Sequence, residues 1–184
     1  MRKHMRTKIF LVIAGMLCVL MFLSAAALGD SGKHGKKDHK KKPRHAGYEY
    51  FMPAEYKESC GSCHMAYPAG LLPAASWRKM LNNASDHFGT ELTLDEAEKT
   101  SVSAYLSANA ADKNGGKIGK KIMRNLDSPT PERISTLPYI QQKHRKIDPA
   151  VFNRPAVGGL QNCAACHPDA EKGDFDDDRA FIPR

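Results

Sequence analysis

The sequence predicts a mainly α-helical fold, and three observations support this class. Apolar residues recur at helical spacing after Pro73 and share one face of a predicted helix: Trp77, Met80, Leu81 and Ala84. A second helix is expected to begin at Thr93, because Glu96 three residues later would complete a capping box. No alternation of apolar and polar residues continues for long enough to predict a strand.

The second predicted helix has a recognisable apolar stripe, and the chain after it is irregular. The stripe runs through Leu94, Ala97, Ser101, Ala104 or Tyr105, and Ala108. Residues 114–121 are rich in Gly and Lys and predict a hinge between two lobes, 46–112 and 113–184. Prolines then separate short apolar clusters, so the second lobe would barely fold alone. We therefore expect a bound cofactor to organise it.

The N-terminal segment has the layout of a secretory signal. Four basic residues precede an apolar run over residues 9–28, which closes with small residues at 25–27. Residues 1–29 are therefore predicted to be a cleaved signal peptide. The alternative is an uncleaved anchor, because the run approaches the roughly 20 residues that span a bilayer. Either reading places the rest of the chain outside the cytoplasm, with 9–28 as a membrane tether in the second case.

The formal net charge of +8 belongs to the N-terminal part of the chain. Residues 30–45 are rich in Lys and His, contain almost no apolar side chains and are predicted to be a disordered arm. From residue 46 onward there are 17 basic and 18 acidic residues, so the folded part is close to neutral. With no motif behind the basic arm, nucleic-acid binding is not expected.

Two copies of C-x-x-C-H carry the chemistry. They are Cys60-Gly-Ser-Cys63-His64 and Cys163-Ala-Ala-Cys166-His167. This is the attachment signature of c-type haem. Its two thiols form thioethers to the two vinyl groups of one porphyrin, and the following histidine binds the iron. The motifs therefore predict two haem c groups, bound through four cysteines, with His64 and His167 as proximal ligands.

The cysteine pairs also allow two other interpretations. Each pair could form a redox-active disulfide, or the two pairs together could supply a tetrahedral zinc site. The immediately following histidine in both copies, the exported context and the lack of a βαβ pattern favour haem.

The number of histidines suggests a sixth ligand for each iron, on the face opposite the proximal histidine. The folded part contains four histidines, and two of them already belong to the motifs. His87 follows His64 by 23 residues, and His144 precedes His167 by 23 residues. We therefore predict His87 and His144 as the sixth ligands. Met123 and His45 are the rival candidates.

Bis-histidine ligation has electronic consequences. It closes the iron to external ligands, and it lacks the methionine that raises the potential of many cytochromes c. The sequence therefore predicts a low-potential electron carrier rather than an enzyme. The alternatives are a haem enzyme, such as a peroxidase or reductase with one open iron, and the diheme electron-donating subunit of a periplasmic reductase.

Several stretches resemble the bacterial diheme cytochrome c family. They are CGSCHMAYPAGLLPAASWRKML, DHFG, YLSANA, PERIST, KHRKI and NCAACHPDAEKGDFDDD. The resemblance implies a periplasmic bis-histidine electron carrier, with a first lobe similar to a small class I cytochrome c and a second lobe that is organised by its haem. It also implies the same four axial histidines, and candidate partners in a membrane cytochrome b or an oxygen-binding monohaem cytochrome. The basic arm is not a feature that the resemblance explains.

Overall fold

The computed structural model describes residues 51–184 and shows a mainly α-helical chain, as the sequence predicts. Short 3-10 turns and loops join its α-helices. They are α1 (Ala54–Cys60), α2 (Ala74–Asn82), α3 (Glu96–Asn109), α4 (Gly116–Arg124), α5 (Pro138–His144) and α6 (Pro149–Phe152). Within this range the only β pairing is an isolated bridge between His87 and Thr90. The predicted signal or anchor, the tether at 9–28 and the arm at 30–45 lie outside the described residues.

Helix α2 is the helix predicted after Pro73. Pro73 stands at its N-cap, where the missing N–H of proline leaves no helical hydrogen bond unmade. Trp77 and Leu81 are buried on the predicted face, and the indole N–H of Trp77 donates to the backbone oxygen of Ala69 at 2.8 Å. The burial of the largest aromatic side chain fixes α2 against the preceding turn, Ala69–Leu71.

The predicted start of α3 is wrong, and its predicted apolar stripe is confirmed only in part. Its N-cap is Asp95, whose carboxylate accepts from the N–H of Glu98 at 2.8 Å, while the Glu98 side chain accepts from the N–H of Asp95 at 2.9 Å. Leu94 and Tyr105 pack against the core, whereas Ala97, Ala104 and Ala108 are exposed. The buried residues of the helix are Val102 and Leu106. The helix therefore starts later than Thr93 and buries Val102 and Leu106 most deeply, because these larger apolar side chains bury more surface than the alanines of the predicted stripe.

The hinge predicted at 114–121 is also wrong, because most of it is helix α4. Ile122 is buried, and Gly119 faces the backbone of Ala111 so closely that a Cβ at this position would lie 2.8 Å from the Ala111 oxygen. The glycine therefore serves a close helix–backbone approach rather than flexibility. The lysines of α4 lie on its solvent-exposed side.

One hydrophobic core joins residues from both predicted lobes. Ile122 and Leu137 from the second half are buried with residues of α1, α2 and α3 from the first half. The division at residue 112 stays a prediction. After α4 no helix within the described part exceeds seven residues, and both α5 and α6 begin with proline. None of the helices from residue 51 onward is long and apolar enough to cross a membrane.

Candidate haem-binding sites

The first C-x-x-C-H motif begins at the last residue of α1. Cys60 ends the helix and is half-buried, while Cys63 and His64 follow in an exposed bend. Gly61 makes this turn sterically feasible, because a Cβ there would lie 2.4 Å from the backbone oxygen of Lys57. The residue after the first cysteine is therefore constrained by the end of the helix that presents the motif.

The second motif lies on a 3-10 turn, Cys163–Ala165. The N–H groups of Cys166 and His167 both donate to the backbone oxygen of Cys163, at 3.2 and 2.9 Å. This turn brings both thiols and the following histidine into one compact segment. The chain enters it through Gly158 and Gly159, whose φ angles of 71° and 108° favour glycine.

No disulfide joins the four cysteines of the motifs, so the alternative of a redox-active pair finds no support in the described residues. Burial raises the pKa of the Cys60 thiol and of the Cys163 thiol to about 11, and it also raises the pKa of the Cys166 thiol. In the described part of the chain no three or more His, Cys, Asp or Glu side chains are arranged to hold one metal ion, so the zinc interpretation also finds no support.

The structure brings the four predicted axial histidines together in two pairs. The ring centroids of His64 and His87 are 6.2 Å apart, and those of His144 and His167 are also 6.2 Å apart. Two metal–nitrogen bonds of about 2.0 Å, each extended by half an imidazole ring, give a separation of about 6 Å. Each pair therefore fits one iron between its rings.

Hydrogen bonds at the rings leave nitrogens available for iron. Nδ1 of His64 donates to the backbone oxygen of Met65 at 2.8 Å, and Nδ1 of His144 donates to that of Ile140 at 2.8 Å. A metal-binding histidine usually donates its other ring N–H in this way, which fixes the tautomer. Nδ1 of His87 is buried and has no hydrogen-bond partner. This ring therefore also has a nitrogen that no hydrogen bond occupies.

Electrostatics favour the ligating form of the histidines. Burial, the neighbouring His64 and the guanidinium of Arg133 lower the pKa of His87. Burial and the neighbouring His144 are the main causes that lower the pKa of His167, against the raising effect of nearby aspartates. Since iron binds neutral imidazole, both shifts prepare the rings for ligation.

The two pairs differ in the angle between their rings. The planes of His64 and His87 meet at 33°, whereas those of His144 and His167 meet at 81°. The difference accompanies different neighbours: Tyr67 lies beside His64, with ring centroids 4.9 Å apart, and Phe175 meets His167 edge-on at 5.8 Å.

Sequence reasoning did not identify the aromatic residues around the axial histidines. They are Tyr67 beside His64, Phe88 beside His87, Phe152 beside His144 and Phe175 beside His167. Only Phe88 gave a local signal, since it follows His87 directly. The rival ligand Met123 is half-buried on α4, and His45 lies outside the described residues.

Comparisons with known proteins agree with this geometry. The family model described as "Dihaem cytochrome c" matches residues 56–175. The fold is similar to a diheme cytochrome c from Shewanella baltica, with a TM-score of 0.59 and 37% identity over 72% of this chain and 95% of that one. It is also similar to a diheme cytochrome c from Rhodobacter sphaeroides, with a TM-score of 0.60 and 39% identity over 68% and 98% of the two chains.

No curated protein sequence matches the chain. The family match nevertheless spans both C-x-x-C-H motifs, and the structural relatives are covered almost completely. Two haem c groups and haem-based electron transfer follow from this membership. The chain belongs to the dihaem cytochrome c family.

Proposed function

We propose that this protein is an exported electron carrier in which both haem irons have two histidine ligands and neither iron accepts an external ligand. The observation that carries the proposal is the equal separation of 6.2 Å in the two histidine pairs. Thioethers from Cys60 and Cys63 would hold one haem, and those from Cys163 and Cys166 the other. The bound haem supplies a one-electron iron couple.

The proposed axial residues act by occupying coordination positions. His64 and His167 would bind on the side of their cysteines, while His87 and His144 would bind opposite them. A histidine on each face excludes peroxide, oxygen or a nitrogen oxide from the iron, which argues against an enzyme. Ligation by two histidines also omits the methionine that raises potential, so both potentials should lie in the low part of the c-type range.

The proposed compartment is the periplasm, and the proposed partners are other redox proteins. The N-terminal signal or anchor supports a periplasmic location, and covalent attachment retains haem in an open compartment. The candidate redox partners are those that the sequence resemblance implies, a membrane cytochrome b or an oxygen-binding monohaem cytochrome.

The decisive experiment is spectroscopy of the protein with both haems attached. EPR of the ferric form should show only low-spin iron, and carbon monoxide should leave the ferrous absorption spectrum unchanged. His87→Ala and His144→Ala should each make one haem high-spin and able to bind carbon monoxide. Met123→Leu, which removes the rival ligand, is the matched control and should keep both haems low-spin.

Two results would reject the ligand assignment. One is carbon monoxide binding by the unmodified protein, which would indicate an open iron and favour an enzyme. The other is a high-spin haem in Met123→Leu together with low-spin haems in His87→Ala.

A further inference from the structure

Tyr67 connects the two haem-binding motifs. It follows His64 by three residues, and its ring lies 4.9 Å from the His64 ring, between centroids, with 34° between the planes. Its hydroxyl donates a hydrogen bond of 2.7 Å to the backbone oxygen of Gln161, which precedes Cys163 by two residues. One side chain therefore contacts an axial histidine of the first site and the entry to the second, across 94 positions of sequence.

The backbone of Tyr67 is held from the first site. Tyr56, which is buried on α1, donates its hydroxyl to the backbone oxygen of Tyr67 at 2.7 Å. The same helix ends at Cys60, the first thioether residue. The position of Tyr67 is thus fixed relative to the helix that presents the first motif.

The acceptor of the Tyr67 hydrogen bond is equally well held. The side-chain amide of Gln161 donates to the oxygen of Gly158 at 2.9 Å, and that of Asn162 donates to Val157 at 2.9 Å. Gly159 has a φ of 108°, a conformation that L side chains rarely adopt, so this tight turn favours glycine there. The turn therefore presents the Gln161 carbonyl in one orientation.

We propose that Tyr67 is a positioning residue that couples the two haem sites of this electron carrier. Its ring orients the His64 imidazole, and its hydroxyl fixes the second motif against the first. A connected path of ring contact, covalent bonds and one hydrogen bond then joins His64 to Cys163. This inference rests on the proposed function, because coupling between the sites matters when electrons occupy either of them.

Two variants separate the two roles of Tyr67 in the protein with both haems attached. Tyr67→Phe keeps the ring beside His64 and removes the hydrogen bond. Tyr67→Leu removes both. Tyr139→Phe is the matched control, since it deletes a tyrosine hydroxyl on α5, where the ring contacts Lys121. Haem content and thermal unfolding establish that each variant is folded and fully loaded.

The coupling is measured by redox titration and by exchange of amide hydrogens. In Tyr67→Phe the separation between the two midpoint potentials and the rate of electron transfer between the haems should both fall. Exchange of the Cys166 and His167 amides should become about fivefold faster, the equivalent of about 1 kcal/mol for one hydrogen bond. The EPR g values of the first haem should stay unchanged in Tyr67→Phe and shift in Tyr67→Leu.

The inference is overturned if Tyr67→Phe has the same potential separation and transfer rate as Tyr139→Phe. If Tyr67→Leu loses haem, Tyr67→Phe decides alone. Carbon monoxide binding by the unmodified protein would instead reject the proposed function. If the unmodified protein does not bind carbon monoxide, and Tyr67→Phe leaves the potential separation and the transfer rate unchanged, only the role given to Tyr67 is rejected.

Discussion

At the scale of single residues, the two motifs differ at the position after the first cysteine. The first motif has Gly61 there and the second has Ala164. A Cβ on Gly61 would lie 2.4 Å from the rigid backbone oxygen of Lys57, so nothing larger than hydrogen fits without displacement of α1. Ala164 is exposed on its 3-10 turn. The position after the first cysteine thus requires glycine in the first motif and tolerates a side chain in the second.

Gly61→Ala should therefore destabilise the first site. The forced shift of backbone should reduce the free energy of unfolding by about 1–3 kcal/mol, as overpacking does elsewhere, and lower haem attachment at Cys60 and Cys63. Ala164→Gly is the matched control and should retain both haems. Intact mass and thermal unfolding check the result. Two haems and unchanged stability in Gly61→Ala would contradict this steric argument.

Tyr56 should make stability depend on alkaline pH. Burial is the main reason that its pKa in the folded protein lies well above the ordinary value, which is about 10. Above that pH the unfolded chain loses the proton while the folded chain keeps it, so the unfolded state binds fewer protons and stability falls as pH rises. Tyr56→Phe should show a shallower fall in urea midpoint above pH ~10. Equal slopes in both proteins would count against this linkage.

The two haem c groups could be predicted from sequence, but the contacts that hold the two motifs in place could not. The motifs are local patterns, and counting histidines suggested the pairs His64–His87 and His144–His167, whose rings the structure places 6.2 Å apart. The bond from Tyr67 to Gln161 joins residues that are 94 positions apart. No local periodicity indicates such a contact, because it depends on the tertiary fold of the whole chain.

At the scale of helices, α3 shows why a local pattern can misplace an element. Thr93 and Asp95 each have a glutamate three residues later, so the sequence contains two overlapping capping patterns. The structure uses the second, with Asp95 and Glu98 bonded to each other's backbone N–H groups. Packing of Val102 and Leu106 in the core selects this face of the helix, and capping alone does not.

Asp95→Ala should cost about 1 kcal/mol of unfolding free energy, because an N-cap loses its side-chain acceptor. Thr93→Ala removes the other candidate cap and is the matched control, with little effect expected. Urea denaturation of the two variants provides the comparison. A larger loss in Thr93→Ala would mean that the helix begins where the sequence pattern first suggested.

Helix α4 shows a second limit of sequence reasoning. Its glycines and lysines have the composition of a flexible linker. Gly119 instead permits contact with the backbone of Ala111, while Ile122 is buried in the core. Composition alone does not distinguish a glycine needed for close approach from one that provides flexibility.

At the scale of the whole molecule, one hydrophobic core contains residues from both halves of the chain. Leu137 is only 1% exposed and belongs to the same buried cluster as Leu71, Trp77 and Leu106. A residue of the second half therefore supports the half that carries the first motif.

Leu137→Ala should consequently weaken the molecule as one unit. Truncation of a buried leucine costs about 2–5 kcal/mol, through lost apolar burial and the cavity left behind. Far-ultraviolet circular dichroism and haem absorption should follow one transition at a lower temperature. Ile182→Ala, at a side chain that is 46% exposed, is the control. Separate transitions for the two haems would support independent lobes instead.

The ring angles of the two histidine pairs bear on the magnetism of a low-spin ferric centre. An imidazole donates π density perpendicular to its own plane. With iron bound as proposed, the rings of His64 and His87, 33° apart, would therefore raise one iron d orbital above its partner. The rings of His144 and His167, 81° apart, would raise both orbitals nearly equally and leave them almost degenerate. The first pair should give a rhombic EPR spectrum and the second a broad, strongly anisotropic one, so that His144→Ala should abolish the anisotropic signal alone.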